Sequence, residues 1–238
     1  MSRFIQNGSA EQLNNRDSYG VFATLFRDKY YHAQLGELTD SQLQHTLSLF
    51  GAPWDEAASL MTVARSDNPK FIADTEHLIP AHNECAYTET PPRLLALYCV
   101  DNSATDGAFY TVDAADFVDQ LGQQYLPSLR GARFSCKMSD DAHAIGTTLI
   151  RQTDIGEQLV FTSVAAMTGK SAYQLVNAID EYSGTVVDHL TEVVNDPKHR
   201  RRHLWRKGDL IVIDNLRLMH GREAFSGGCR ELRHVRLA

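Results

Sequence analysis

Apolar residues recur along this chain with two periods. At Thr39-Asp40-Ser41-Gln42 a capping-box signature precedes Leu43, Leu47 and Phe50 at helical spacing, and Gly51-Ala52-Pro53 closes the segment, predicting a helix outside the sheet core. Phe117 and Leu121 predict a second helix from Asp113 to about Tyr125, stopped at Pro127. The longest stripe, Leu175, Ile179, Tyr182, Val186, Leu190 and Val193, predicts a helix from about Ser171 to Val194, closed by Asn195-Asp196-Pro197. Shorter apolar runs bounded by turn residues read as strands: Leu94–Val100, Ala132–Met138, Ile145–Arg151, Gln158–Val164, Asp209–Asp214 and Leu232–Leu237. Strands in turn-separated pairs with helices around them predict a mainly β fold with flanking α-helices. No repeat, low-complexity tract or linker interrupts the pattern, so one domain over residues 1–238 is expected.

Composition narrows the function classes. A chain of 238 residues that is 43% hydrophobic can bury a full core. Its net charge of −7 sets a field that repels nucleic acid and anionic membranes. The run Lys198-His199-Arg200-Arg201-Arg202-His203 is a local exception. A solvated loop is expected there; a docking patch for an acidic partner, such as a carrier protein presenting the substrate, is the other reading. Cys85, Cys99, Cys136 and Cys229 show no metal-type spacing, and Met1-Ser2-Arg3-Phe4 opens no apolar signal segment, so free thiols and a cytoplasmic location are expected. No stretch approaches the roughly 20 apolar residues that cross a bilayer. Oligomeric state is left open.

The chemistry concentrates in His82-Asn83-Glu84 and in His220, at the end of Gly208-Asp209-Leu210-Ile211-Val212-Ile213-Asp214-Asn215-Leu216-Arg217-Leu218-Met219-His220. On a strand, alternate side chains leave one face, so His82 and Glu84 can reach a single metal while Asn83 and Cys85 point elsewhere, Cys85 into the core. The apolar run Asp209–Asp214 predicts the strand that delivers His220. Two imidazoles and one carboxylate hold non-haem Fe(II) with coordination positions open. An isolated histidine is more often a surface or hydrogen-bonded core residue; the joint placement of this set points to a metal, and the remaining histidines are expected to be structural. Arg230 suits the distal carboxylate of a dicarboxylic co-substrate, because its planar fork makes a bidentate, charge-assisted pair.

These residues resemble the taurine dioxygenase-like and clavaminate synthase-like branch of the Fe(II)/2-oxoglutarate-dependent oxygenases. The resemblance rests on His82-Asn83-Glu84 followed by Pro91-Pro92-Arg93 and the Leu94–Val100 strand, on Gly208-Asp209-Leu210, Asp214-Asn215 and His220-Gly221-Arg222, and on the terminal Arg-x-Leu segment. It spans roughly residues 78–238, and the first 75 residues add little. It implies a double-stranded β-helix (jelly-roll, cupin-like) core, with Fe(II) held by His82, Glu84 and His220, 2-oxoglutarate by Arg230, and O2 as oxidant. Glu84, where halogenating relatives have Ala or Gly, argues for oxygenation. Many relatives place a co-substrate-binding Thr where Phe109 stands here; Thr111, two residues on, can face the same way. The implied reaction couples decarboxylation of 2-oxoglutarate to hydroxylation, desaturation or cyclisation of a small, polar, amino-acid-like substrate in natural-product biosynthesis. Candidate substrate contacts are Tyr87, Arg93, Phe109, Arg222 and His234, the last standing where taurine dioxygenase-like relatives carry a second Arg four residues after the first. Strand alternation from Arg230 sends Leu232, His234 and Arg236 inward. A catalytically inactive cupin-like metal-binding or partner-binding module is the rival reading, told apart by turnover of 2-oxoglutarate.

Overall fold

The computed structural model describes residues 2–55, 60–69, 72–86, 88–115, 126–137, 145–161, 175–178 and 181–238. Two five-stranded sheets carry the architecture. In the first the order is Ser2–Arg3, Arg201–His203, Phe109–Asp113, Leu218–Arg222, Ile79–His82; in the second it is Tyr30–Gln34, Asp209–Asp214, Leu94–Asn102, Arg230–Leu237, Met61–Ala64. Neighbours run antiparallel except Ser2–Arg3, which pairs parallel to Arg201–His203.

Period-2 alternation sorts each strand's side chains between two layers. Ile211 and Ile213 join Leu95, Leu97, Cys99, Leu232, Phe109 and Leu218 in a core shared by both sheets, so the two inner faces pack on each other. Leu210, Val212, Ala96, Tyr98 and Val235 leave the opposite face of the second sheet and pack with Leu13, Val21, Leu25, Leu43 and Leu47 of the helices Ala10–Asn14, Ser18–Asp28 and Asp40–Leu47. Tyr110, Val112 and Met219 do the same for the first sheet against Leu129, Leu190 and Val194 of the helices Leu126–Gly131 and Glu181–Val194. Burial on both faces explains why Asp209–Asp214 reads as an unbroken apolar run rather than an alternation. Each fully buried Leu or Ile there contributes about 1.5–3 kcal/mol.

Several expectations hold at the level of single elements. Thr39 caps the helix Asp40–Leu47 with a complete capping box to Gln42, and the Leu94–Asn102, Arg133–Lys137 and Arg230–Leu237 strands lie where the apolar runs are. Others need correction. Leu175–Ala178 is a strand paired with Arg133–Lys137, and the helix begins only at Glu181; in so short a run the helical and strand periods are not separable, and pairing decides. Ile145–Arg151 divides at buried Leu149 into Ile145–Thr148 and Ile150–Thr153. Gly156–Leu159 stands for the expected Gln158–Val164, whose last residues lie outside the described ones. Asp113 ends a strand, and residues 116–125 of the helix expected after it also lie outside the described set. Within the first 75 residues, which add little to the resemblance, Tyr30–Gln34 and Met61–Ala64 form both margins of the second sheet.

The basic run is not a solvated loop. Arg201–His203 pairs with Phe109–Thr111, and Arg200 is buried, its guanidinium 4.3 Å over the Tyr110 ring and donating to the Asn195 carbonyl at 2.7 Å. Arg202 pairs with Glu223, and Arg201 lies 5.0 Å over the Tyr30 ring. Lys198 alone of this run is well exposed, and it pairs with Asp196. Among the described residues no helix is long and apolar enough to cross a membrane.

Candidate metal and co-substrate site

His82 ends the Ile79–His82 strand and stands directly across from His220 of Leu218–Arg222, their rings 4.2 Å apart. Strand alternation, the route expected from the sequence, is not what brings Glu84 to them. The strand stops at His82, and Asn83, Glu84 and Cys85 form a turn in which Cys85 takes the left-handed conformation (φ 53°). The turn is fixed from inside. Asn83, 1% exposed, exchanges hydrogen bonds with the main chain of Phe161, donating N–H at 2.7 Å and accepting on Oδ1 at 2.8 Å. As a result one potential ligand atom from each of His82, Glu84 and His220 lies within 4.8 Å of the others.

The electrostatics fit a cation. His82 Nδ1 faces the Pro80 carbonyl at 2.9 Å, which selects the Nδ1–H tautomer and frees Nε2 toward Glu84. The nitrogens around the Glu84 carboxylate, Nε2 of His82, His220 and His234 and Nη1 of Arg236, stand at 3.8, 3.9, 3.8 and 3.9 Å. All four are beyond hydrogen-bonding reach, leaving a gap that a metal with bonds of about 2.1 Å would fill. Burial opposes charge on Glu84, yet His234, His82 and His220 hold its carboxyl well below the usual carboxylate range. Burial, then neighbouring His82, pushes His220 well below ordinary imidazole, so its neutral form is ready to ligate.

A second trio, His32, His203 and Asp209, is equally compact and fully buried, but its carboxylate is already filled. Asp209 Oδ2 accepts from the Arg206 N–H at 2.7 Å and sits 2.9 Å from His203 Nε2; Oδ1 is 3.3 Å from both His32 Nε2 and Gln34 Nε2. Four partners at hydrogen-bond distance close that set, whereas Glu84 is left open.

Arg230 and Arg222 both lie over the Phe225 ring, 5.6 and 4.9 Å from its centroid, and both are at least 96% buried. Arg222 donates to the carbonyls of Ile72, Ala73, Thr75 and His77 at 2.6–3.5 Å. No described residue makes an ion pair or hydrogen bond with Arg230, whose Nε is buried without a partner. Burial lowers Arg230 to about 10, still cationic at neutral pH. An interior cation with no counter-charge fits the distal carboxylate of 2-oxoglutarate.

The other candidates divide. Phe109 and Thr111 share the inner face beside His220, Phe109 with its ring 6.1 Å away and Thr111 directly across in register. His234 also faces inward, because the bulge in its pairing falls on the neighbouring strand and leaves alternation after Arg230 intact. Arg93 is committed to Asp214 at 3.1 Å and Asp154 at 3.0 Å, and Arg222 to its carbonyls, so the structure offers neither guanidinium to a substrate. Tyr87 lies outside the described residues. Cys85 does not turn away from Glu84: its Sγ is 3.9 Å from Oε1 and 3.1 Å from Arg236 Nη1, because the left-handed turn breaks alternation. Arg236 beside Glu84 follows from alternation alone, whereas Asn215, which bonds the Glu84 main chain, carries no such signal.

Known proteins are similar to this chain. A tyrosine isonitrile desaturase of Pseudomonas aeruginosa is 25% identical over 169 residues, 66% of this chain and 57% of the relative, so the match spans less than two thirds of that protein's length. The 3-((Z)-2-isocyanoethenyl)-1H-indole synthase of Fischerella ambigua is 22% identical over 80% of this chain and 76% of its own. Among solved structures, PvcB, an Fe, alpha-ketoglutarate dependent oxygenase from an isonitrile synthetic pathway, superposes with a TM-score of 0.71 at 18% identity over 92% of this chain and 79% of that one. Asparagine oxygenase in complex with Fe(II), 2S,3S-3-hydroxyasparagine and succinate gives 0.73 at 15% identity, over 96% and 83%. With its model matched over residues 23–236, nearly the whole chain, the family is settled: the chain belongs to the taurine catabolism dioxygenase TauD, TfdA family.

Proposed function

We propose that this protein is an Fe(II)/2-oxoglutarate-dependent dioxygenase, one domain on a double-stranded β-helix (jelly-roll) core, acting on an amino-acid-derived carboxylate in natural-product biosynthesis. One observation carries the reading: an open two-histidine-one-carboxylate set and a buried, uncompensated Arg230 share one interior. Bound there, iron would supply the redox step, coupling O2 activation to decarboxylation of 2-oxoglutarate. The chain's own residues bind and orient. Arg230 fixes the far carboxylate of the co-substrate, Thr111 stands where a hydroxyl can assist, and Phe109 keeps water from that side.

The substrate class follows from charge and relatives together. His234 and Arg236 face the site from the strand of Arg230, and a pair of cationic or cation-capable groups there suits a carboxylate. One relative is named for desaturation of a tyrosine isonitrile and the other for making an isocyanoethenyl indole, which favours an amino-acid-derived isonitrile or free amino acid, with desaturation or hydroxylation as outcome.

Anaerobic addition of Fe(II) and then 2-oxoglutarate should produce the weak visible absorption of an iron-bound keto acid, lost in His82→Ala/His220→Ala. A band that survives the double substitution would sink the metal assignment. A screen of amino acids and their isonitriles, read by succinate release, then identifies the substrate. His234→Ala should raise that substrate's KM while 2-oxoglutarate affinity stays put, and an unaltered KM would place His234 outside the substrate pocket.

A further inference from the structure

Glu84 is the one proposed ligand that no strand carries, and its position is made by amide side chains. Asn215, 0% exposed, lies in the turn that leads from Asp209–Asp214 into Leu218–Arg222, five residues before His220. Its carboxamide meets the main chain of Glu84 at two points: Oδ1 accepts the Glu84 N–H at 2.7 Å, and Nδ2 donates to the Glu84 carbonyl at 3.1 Å. This is the pair of bonds that a neighbouring strand would exchange with a residue in a ladder. Nδ2 also donates to the Pro92 carbonyl at 2.8 Å.

Asn83 completes the connection in the other direction. Its Nδ2 donates to the Asn215 carbonyl at 2.5 Å and faces the Leu218 carbonyl at 3.4 Å, while its Oδ1 takes the Phe161 N–H. The Asn215 turn is itself rigid: Asp214 Oδ1 accepts from the N–H groups of Leu216 and Arg217 at 3.1 and 3.2 Å, and Asp214 Oδ2 pairs with Arg93 and Arg217.

We infer that Asn83 and Asn215 are positioning residues for the metal site, a reciprocal carboxamide clamp that ties the Glu84 turn to the segment delivering His220, so that the carboxylate and the distal imidazole are held as one rigid unit. The clamp replaces the strand pairing lost when the chain leaves the sheet after His82. Both side chains are fully buried, and each hydrogen-bonding atom has a specific main-chain partner, which Ala cannot supply and Asp can supply only in part. Asp at position 215 would keep an acceptor for the Glu84 N–H but turn a carboxylate toward the carbonyl oxygens of Glu84 and Pro92.

The inference rests on the proposed metal site, and the test separates the two. Fe(II) affinity is measured by anaerobic titration for the parent protein, Asn215→Ala, Asn215→Asp, Glu84→Ala and Asn215→Ala/Glu84→Ala. Loss of groups that orient a ligand typically costs about 10–100-fold in metal affinity, so Asn215→Ala and Asn215→Asp should each weaken binding by that order. The double variant should bind no worse than Glu84→Ala, because the clamp acts through the carboxylate. Losses that multiply in the double variant would mean that Asn215 serves the fold alone, overturning the inference, as would parent-like affinity in Asn215→Ala. A parent protein that binds no Fe(II) would overturn the site itself and the clamp with it. Hydrogen exchange on the parent needs no variant to fold: the Glu84 amide, although outside any strand, should be protected like those of the Leu218–Arg222 strand, and exchange at the rate of an exposed turn would also overturn the clamp.

Discussion

Arg222 and Arg230 carry the same group at similar depth, and only their surroundings assign their work. Four carbonyls consume Arg222, so its replacement should destabilise the protein without a specific effect on co-substrate binding. Arg230→Lys keeps the charge and loses the fork, and Arg230→Ala loses both, so affinity for 2-oxoglutarate should fall in that order, by about 2–5 kcal/mol for the truncation; equal affinities across the series would move the role to another cation. The His32–Asp209–His203 cluster makes a pH prediction. Burial depresses His203 although Asp209 opposes this, so the unfolded chain binds more protons between the folded value and about 6.5. That increment of stability is complete above the unfolded value and is lost as pH falls through the window. Melting temperature should therefore decline between about pH 7 and pH 5, and less steeply in His203→Gln; parallel profiles would clear His203 of responsibility. Asp209 is held low despite its burial by His203, His32 and the Arg206 N–H, and its contribution disappears only in strong acid.

Elements with their own local signal are legible in the sequence. The Thr39 capping box closes on Gln42 as the spacing requires, and Thr39→Ala should cost about 1 kcal/mol in denaturant unfolding with no change in metal affinity. The doubly buried Asp209–Asp214 and Leu94–Asn102 strands announce themselves as apolar runs. Tyr30–Gln34 escapes the pattern because burial on both faces erases alternation while its His and Gln suppress the apolar signal. Leu175–Ala178 reads as helix because a helical stripe passes through it by coincidence. At the site, residue types and order single out His82, Glu84 and His220, which the structure brings together, but not how Glu84 arrives there. A left-handed Cys85 and a carboxamide 131 positions away in sequence are set by tertiary contacts that no periodicity carries. Nor can the chain by itself tell a committed Arg93 from an uncommitted Arg230, since the difference lies in partners distant in sequence.

At the scale of the whole molecule, the site draws on both sheets: His82 and His220 from the first, Arg230 and His234 from the second. Ligands that bind across the interior should therefore stabilise the entire fold. Fe(II) with 2-oxoglutarate at about 100 times its dissociation constant should add about 2.7 kcal/mol to stability, seen as a higher melting temperature. Arg230→Ala should keep the shift due to iron and lose the one due to the co-substrate; if both shifts survive, Arg230 is not the anchor. The sheet order also bears on how the protein is made. Leu94–Asn102 is the central strand of the second sheet, and both of its partners, Asp209–Asp214 and Arg230–Leu237, lie more than a hundred residues downstream. At roughly 5–20 residues per second, a ribosome leaves this apolar segment without either neighbour for on the order of ten seconds. During that interval the nascent chain presents two bare edges of a largely apolar strand, and its yield in cells should depend on chaperone capacity well before it depends on iron.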